Sequence, residues 1–191
     1  MERWVVAAKR ADFAAIGKEF GIDPVIARLI RNRDVQDREE IRRYLHGTVE
    51  ELASPHLMKD VDKAVEILRN KIKEKKRIRI IGDYDIDGVV STFILIKGLK
   101  RVGALADTYI PDRVVDGYGI HEHLIERAVN DGIDIIVTCD NGIAAYNEIA
   151  MAKEKGMTVI ITDHHEIPYK ETESGRELIL PSADAIVNPK Q

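Results

Sequence analysis

From residue 77 onward, short β-branched runs alternate with longer stretches of helical spacing, and that alternation admits few folds. The pattern predicts strands over residues 77–81, 105–110, 134–139 and 157–162, with 185–187 as a further candidate. Between them it predicts helices over 89–102, 121–130 and 143–155. Strand-length runs separated by helix-length segments read as βαβ crossovers, which require parallel strands. The expected fold class is α/β: a parallel, doubly wound sheet with helices on both faces, preceded by a small helical section.

That preceding section carries helical spacing of its apolar residues, with candidate helices at 13–20, 23–31, 37–45 and 60–75. Asp23-Pro24 reads as an N-cap followed by proline at the first helical position, and Asp37 stands ahead of Glu39 and Glu40 in the same style. Ser54-Pro55 interrupts the chain. The expected organisation is a helical section over 1–59 and an α/β domain over 60–191.

Composition sets outer limits. A chain of 191 residues with 45% hydrophobic content buries one ordinary core, and with aromatics at 5% that core is built from Ile, Val, Leu and Ala. A single cysteine, Cys139, excludes an internal disulfide and fits a reducing cytoplasm. The apolar stretch at residues 4–8 is too short for a secretory signal, and no run approaches a membrane span, so the expected location is cytoplasmic. Net charge is −4, balanced up to residue 60, basic over 61–80 and acidic from 81 onward. The basic group, which includes Lys71, Lys76, Arg77 and Arg79, reads either as a solvated helix end or as a nucleic-acid contact. An acidic half that handles polyanions needs bound cations to reverse its field.

The acidic residues are not scattered. Asp83, Asp85 and Asp87 follow the first predicted strand, Asp140 follows the third, and Asp163, His164 and His165 follow the fourth. Ligands of open parallel sheets bind beyond the carboxyl ends of the strands. Carboxylates and imidazoles are the donors that hard and borderline divalent ions accept. The first cluster has the early spacing of an EF-hand, but Ile94 stands where that loop needs glutamate and a strand precedes it, so the calcium reading fails. A receiver-like or phosphatase-like pocket for one Mg²⁺ stays open for this cluster taken alone. Asp140 alone is equally consistent with a helix cap. Adjacent histidines point in different directions, so one of His164 and His165 serves as a ligand while the other faces substrate. Taken together, the clusters suit a site in which two ions, roughly 3.5 to 4 Å apart, share a carboxylate.

These residues also resemble a known family. Asp163-His164-His165 is the motif that names the DHH phosphoesterases, Asp83-Tyr84-Asp85-Ile86-Asp87-Gly88 is similar to their first motif, and Asp140-Asn141-Gly142 to their second. Asn32-Arg33, Glu39-Glu40-Ile41, Met58-Lys59-Asp60, Lys63-Ala64-Val65, Tyr109-Ile110-Pro111-Asp112-Arg113 and Gly117-Tyr118-Gly119 resemble the branch of that family that degrades single-stranded DNA. The resemblance implies a Mn²⁺- or Mg²⁺-dependent phosphodiesterase over 60–191. It would be a 5′ to 3′ exonuclease that releases nucleoside 5′-monophosphates from single-stranded DNA in repair and recombination. It further implies Asp83 and Asp85 on one ion, Asp87 and His164 on the other, and Asp140 bridging them. His165 would contact the scissile phosphate and Asp163 would orient the histidines. Arg113 is the candidate phosphate clamp, because a planar guanidinium suits bidentate contact; the alternative is a surface loop arginine. The implied partners are single-stranded DNA, a helicase and a single-strand-binding protein, with oligomeric state left open.

The family also carries a further aspartate motif and a second, glycine-rich domain that binds substrate. Neither stands before Gln191, so the resemblance implies an N-terminal fragment that is weakly active or inactive. Asp184 precedes its strand and would lie at the wrong edge to supply the further ligand. Two alternatives remain: a DHH phosphodiesterase for short oligonucleotides or cyclic dinucleotides, and a non-catalytic DNA-binding relative. The helical preface speaks against the first, and the full set of acidic and imidazole positions against the second. Cys139 reads as a core residue, His46, His56, His121 and His123 as surface or capping residues with no acidic partner cluster, and Trp4 and Tyr118 as packing residues or base-stacking ones.

Overall fold

Side-chain caps start the N-terminal helices where the acidic residues stand. The computed structural model describes residues 9–173 and 175–191, so Trp4 lies outside the described residues. One unit ends at Ser54 and contains α1 (Phe13–Phe20), α2 (Pro24–Asn32), α3 (Arg38–His46) and a 3-10 turn, Val49–Glu51. Asp23 accepts from the Val25 N–H at 2.8 Å, with Pro24 in the first turn. Asp37 accepts from the Glu40 N–H at 2.8 Å while Glu40 reaches back to the Asp37 N–H, a reciprocal capping box. Gly17 is buried where a Cβ would overlap the Ile22 carbonyl, and Ala27, Ile30 and Ile41 are the buried apolar side chains among the unit's described residues.

The second unit, Pro55–Gln191, opens with a 3-10 turn, Pro55–Leu57, that packs on α4 (Val61–Lys73). The division after Ser54 thus precedes the expected one after residue 59. The chain continues through β1 (Arg77–Ile81), α5 (Ile86–Arg101), β2 (Leu105–Tyr109), α6 (Glu122–Asn130) and β3 (Ile135–Cys139). It ends with α7 (Tyr146–Glu154), β4 (Thr158–Thr162), β5 (Tyr169–Thr172), β6 (Gly175–Leu178) and β7 (Ala185–Val187). Five strands form one sheet in the order β2-β1-β3-β4-β7, parallel throughout. The order reverses between β1 and β3, and at such a point the loops leaving adjacent strands part to opposite sides and open a crevice.

Strand residues alternate between two apolar layers, as a sheet covered on both faces requires. Ile78, Ile80, Ile135, Val137, Cys139, Ile160 and Ala185 pack with Ala64 of α4 and Leu99 of α5. Ile81, Ile136, Val159, Ile161 and Ile186 pack with Leu124 and Ile125 of α6 and Ile149 of α7. The doubly wound class expected from the alternation is the observed one.

Three details differ from the expectation. Helix α5 begins at Ile86 rather than 89, because Asp85 caps it, accepting from the Asp87 N–H at 2.9 Å and the Gly88 N–H at 3.0 Å. Asp87 therefore sits in the first helical turn. Helix α7 begins at Tyr146 rather than 143, because the Ile143 N–H is drawn to Asp163 Oδ2 at 3.0 Å. The exposed hairpin β5–β6 had no legible pattern, since neither strand buries a face.

Arg79 belongs to neither of the readings offered for the basic group. It lies on β1 opposite Asp107 of β2 and is 8% exposed. Its guanidinium donates to both Asp107 oxygens at 2.8 Å and to Asp131 Oδ2 at 2.7 Å. Bidentate charge-assisted bonds of this kind outweigh a surface ion pair. Asp184 has a comparable role at the amino edge of the sheet, where Lys153 Nζ donates to it at 2.6 and 2.8 Å and the Val159 N–H at 2.7 Å. Arg79→Ala is expected to lower unfolding free energy by about 2 kcal/mol, measured by urea denaturation, because it strands two carboxylates that are only half-exposed.

Candidate metal centre

The sheet delivers four loops to one edge. Gly82 and Gly88 flank the first cluster: a Cβ at Gly82 would overlap the Thr92 hydroxyl, and one at Gly88 would overlap the Asp83 backbone. Only glycine at both positions lets the start of α5 close onto the end of β1. That closure buries Asp83, which is 1% exposed, and leaves its Oδ1 without a hydrogen-bond partner.

After β3 the chain turns sharply. Asp140 has φ 61° and Gly142 φ 105°, so a non-glycine residue sits in the left-handed region at the carboxyl end of a strand. Such backbone strain persists only where the surroundings over-determine it. The surroundings here are the Asp140 N–H bond to the Thr162 carbonyl at 3.1 Å and the Thr138 hydroxyl bond to the Asn141 carbonyl at 2.8 Å. Asp140 is 7% exposed; its Oδ1 lies 3.1 Å from His164 Nδ1 but outside hydrogen-bond geometry. Burial, and then the negative charge of Asp85, push its carboxyl up to about 6. Asp85 moves the other way, held low first by the Gly88 N–H.

The loop after β4 is organised by Asp163, whose side chain is 1% exposed. Its Oδ1 accepts from the His164 N–H at 2.7 Å, the His165 N–H at 3.1 Å and His165 Nδ1 at 2.7 Å, while Oδ2 holds the Ile143 N–H. With Nδ1 donating to Asp163, His165 Nε2 accepts, and the Tyr118 hydroxyl stands 3.2 Å away to donate. Partial burial of that hydroxyl, then the charges of Asp83, Asp163, Asp140 and Asp85, raise the phenol to about 12, so it keeps its proton at neutral pH. The rings of His164 and His165 stack at 4.7 Å and 22°, which corrects the expectation that adjacent histidines diverge. They line different cavities all the same: His164 shares one with Asp87 and Asp140, His165 another with Tyr118 and Asn141.

Two groups of donor atoms result, each gathered within 4.8 Å. One joins Asp83, Asp85 and Asp140; the other joins Asp140, Asp163, His164 and His165. Asp140 is common to both. Asp87 lies beside the second group, lining its cavity, rather than within it. Arg113 is not among these residues: its guanidinium lies 5.4 Å over the Tyr84 ring, with no ion-pair partner among the described residues. Buried carboxylate oxygens without donors are costly unless a cation answers them, so this donor set fits divalent ions.

Several residues of the site were not legible as such. Asn188, 1% exposed just beyond β7, donates to the His165 carbonyl at 3.0 Å and so braces the loop from a fourth strand. A polar residue ending another strand was its only signal. Asp116 was equally silent: it accepts from the Asp112 N–H at 2.7 Å, the Tyr109 hydroxyl at 3.1 Å and His123 Nε2 at 2.8 Å, pinning the loop that carries Tyr118. His123 pairs with this single carboxylate and His56 with Asp62, and neither belongs to a group of metal-type donors among the described residues. Cys139 is buried beside the Thr92 hydroxyl, and burial raises its thiol pKa.

Loops that carry this donor set at the carboxyl edge of such a sheet define a class, and the class is shown: the DHH family, N-terminal domain, matches residues 77–191, and the chain belongs to that family. Among its relatives is the single-stranded-DNA-specific exonuclease RecJ of Bacillus subtilis (strain 168), 37% identical over 190 residues, covering 99% of this chain and 23% of the relative. RecJ of Escherichia coli (strain K12) is 35% identical over 169 residues, covering 88% of this chain and 27% of its own. The chain thus spans about a quarter of the length of these curated relatives. A crystal structure of exonuclease RecJ bound to manganese superimposes with a TM-score of 0.63 at 33% identity, over 72% of this chain and 33% of that one. RecJ from Thermus thermophilus in complex with Mn²⁺ gives 0.60 at 26% identity, over 93% and 23%.

The raised Asp140 carboxyl fixes the sign of a pH effect. Between its unfolded value, near 3.9, and about 6, the folded protein holds a proton that the unfolded chain has released, so metal-free stability falls as pH rises across that window. Asp140→Asn is expected to be more stable than the parent above pH 6 without metal and equal to it below pH 4, read by thermal melts across pH. Saturating Mn²⁺ should reverse the order by raising the parent's Tm alone.

Proposed function

We propose that this chain forms the metal-binding part of a phosphodiesterase that removes nucleotides from the 5′ end of single-stranded DNA. The observation that carries the reading is the pair of donor groups sharing Asp140, with buried carboxylate oxygens of Asp83 and Asp140 left without hydrogen-bond partners. RecJ relatives named as single-stranded-DNA-specific exonucleases, and RecJ structures with manganese, support it.

In this reading Asp83 and Asp85 would hold one Mn²⁺ or Mg²⁺ and Asp87 and His164 the other, with Asp140 available to both. When bound, the ions supply Lewis acidity toward phosphoryl oxygens and make water acidic enough to act as a nucleophile near neutral pH. The protein's own groups do the rest. Asp163 fixes the ring of His165, whose Nε2 faces the phosphate once the Tyr118 hydroxyl gives way. Arg113, held on the Tyr84 ring at the rim, meets a further phosphate. In-line displacement at phosphorus, with water forming the new P–O bond as the P–O3′ bond breaks, would then release the 5′-terminal nucleoside 5′-monophosphate with a 3′-hydroxyl and leave a 5′-phosphate on the strand. The reading places the protein in the cytoplasm, in DNA repair and recombination, with a helicase and a single-strand-binding protein as the partners that would present the strand. Among the described residues no helix is long and apolar enough to cross a membrane.

The test compares 5′-labelled single-stranded and duplex DNA in the presence of Mn²⁺, using the longest natural protein that contains this chain, since the chain spans about a quarter of its relatives' length. Mononucleotides should appear from the single strand, with Asp140→Ala lowering the rate about a hundred- to a thousandfold, the scale of losing a group that stabilises transition-state charge. His165→Ala should lower the rate while leaving Mn²⁺ affinity within twofold. No Mn²⁺-dependent release sinks the exonuclease reading, and equal hydrolysis of a cyclic dinucleotide moves the assignment to small substrates.

A further inference from the structure

Resting on the phosphodiesterase reading, we propose that the cavity beside His165 is a nucleobase pocket, holding the base next to the phosphate that His165 contacts. The cavity has a volume of about 370 Å³ and lies between the segment Tyr118–His121 and the segment that follows Asp140. That volume falls within the roughly 300–1,000 Å³ of small-molecule sites. His165 is its boundary with the metal centre, while His164 and Asp140 line a separate cavity of about 300 Å³. The two consecutive histidines therefore line different cavities, with Asp163 common to both; the one beside His165 has none of Asp83, Asp85, Asp87 or Asp140 in its lining and is suited to something other than an ion.

The lining selects what that something is. Ile120 and Ile143, both buried, give it apolar walls, and the Tyr118 and His121 rings give it flat ones. Its charged residues are Glu148 and Glu166 beside Asp163, and among the described residues no lysine or arginine lines it. A phosphate needs cationic donors and would be repelled. A base is flat, neutral and apolar on its faces, with donors and acceptors along its edge.

Two of the lining residues carry a buried polar atom without a partner. Asn141 is 2% exposed; its Nδ2 donates to the Ile81 carbonyl at 3.3 Å, which fixes the amide, and its Oδ1 has no partner. Nε2 of His121 is likewise buried without one. Unanswered groups of this kind are rare in folded proteins, and both belong to residues that line this cavity. Position is equally specific. Asn141 is covalently next to Asp140, the residue common to both donor groups, so the pocket sits at a fixed distance from the site of cleavage. Its opposite wall is pinned by Asp116, which ties Asp112, Tyr109 and His123 together.

The test measures binding of two probes by calorimetry with Mn²⁺ present: thymidine 5′-monophosphate, and deoxyribose 5-phosphate, which lacks only the base. Thymidine monophosphate should bind at least about tenfold more tightly, the scale of one stacked base. Ala144→Phe, at an exposed position on the cavity rim, fills the pocket without touching a donor group. It should reduce thymidine monophosphate to the affinity of the sugar phosphate while Mn²⁺ affinity stays within twofold. Equal affinity of the two probes for the parent protein overturns the proposal, as does a base preference that survives in Ala144→Phe. The nuclease reading fails on a different result, the absence of Mn²⁺-dependent cleavage by the longest natural protein that contains this chain, so the two are told apart.

Discussion

One buried carboxylate ties the site together. Asp163 accepts four hydrogen bonds from three places: its own loop, the His165 ring and the backbone that follows Asp140. A buried carboxylate with both oxygens answered by N–H donors fixes those donors in space. Through Ile143 it stops α7 from starting early and keeps open the turn in which Asp140 is strained; through His165 it sets which ring nitrogen faces outward. Asn188 closes the arrangement from β7, so the histidine loop is held from both sides.

Around that tie the protein tolerates local costs that a structure without a ligand to bind would avoid. Asp140 is buried, backbone-strained and beside Asp85, and its carboxyl is raised in consequence. Asp83 is deeper still, with an oxygen that meets no donor. These costs fall at the carboxyl edge, where strand order reverses. The amino edge is conventional by comparison: there Asp184, Lys153 and the Val159 N–H satisfy one another fully. Strain and unpaired charge at one edge, and satisfaction at the other, is the distribution expected when function is confined to strand ends.

Much of the fold was legible because its periods were clean. The run of Ile and Val in β1, β3 and β4 could only be strands buried on both faces, and the strand bounds at 77–81 and 185–187 match residue for residue. Helix starts were less legible where a side chain overrode the spacing, as Asp85 did for α5 and Asp163 for α7. Hairpin β5–β6 buries nothing and so left no periodic trace. Arg79 looked like one more basic residue in a basic stretch, because nothing local announces that Asp107 and Asp131 surround it.

By itself the sequence determined the class of sheet, the order of its elements and the three clusters that follow its strands, since hydrophobic period and residue chemistry are local properties. Tertiary structure decided what those clusters amount to. Only the strand order β2-β1-β3-β4-β7 brings Asp140 between the loops of β1 and β4, and only packing reveals which carboxylates lose water, which histidine Tyr118 and Asn188 hold, and that Arg113 rests on Tyr84. Those outcomes depend on contacts between residues far apart along the chain, and no local pattern encodes them.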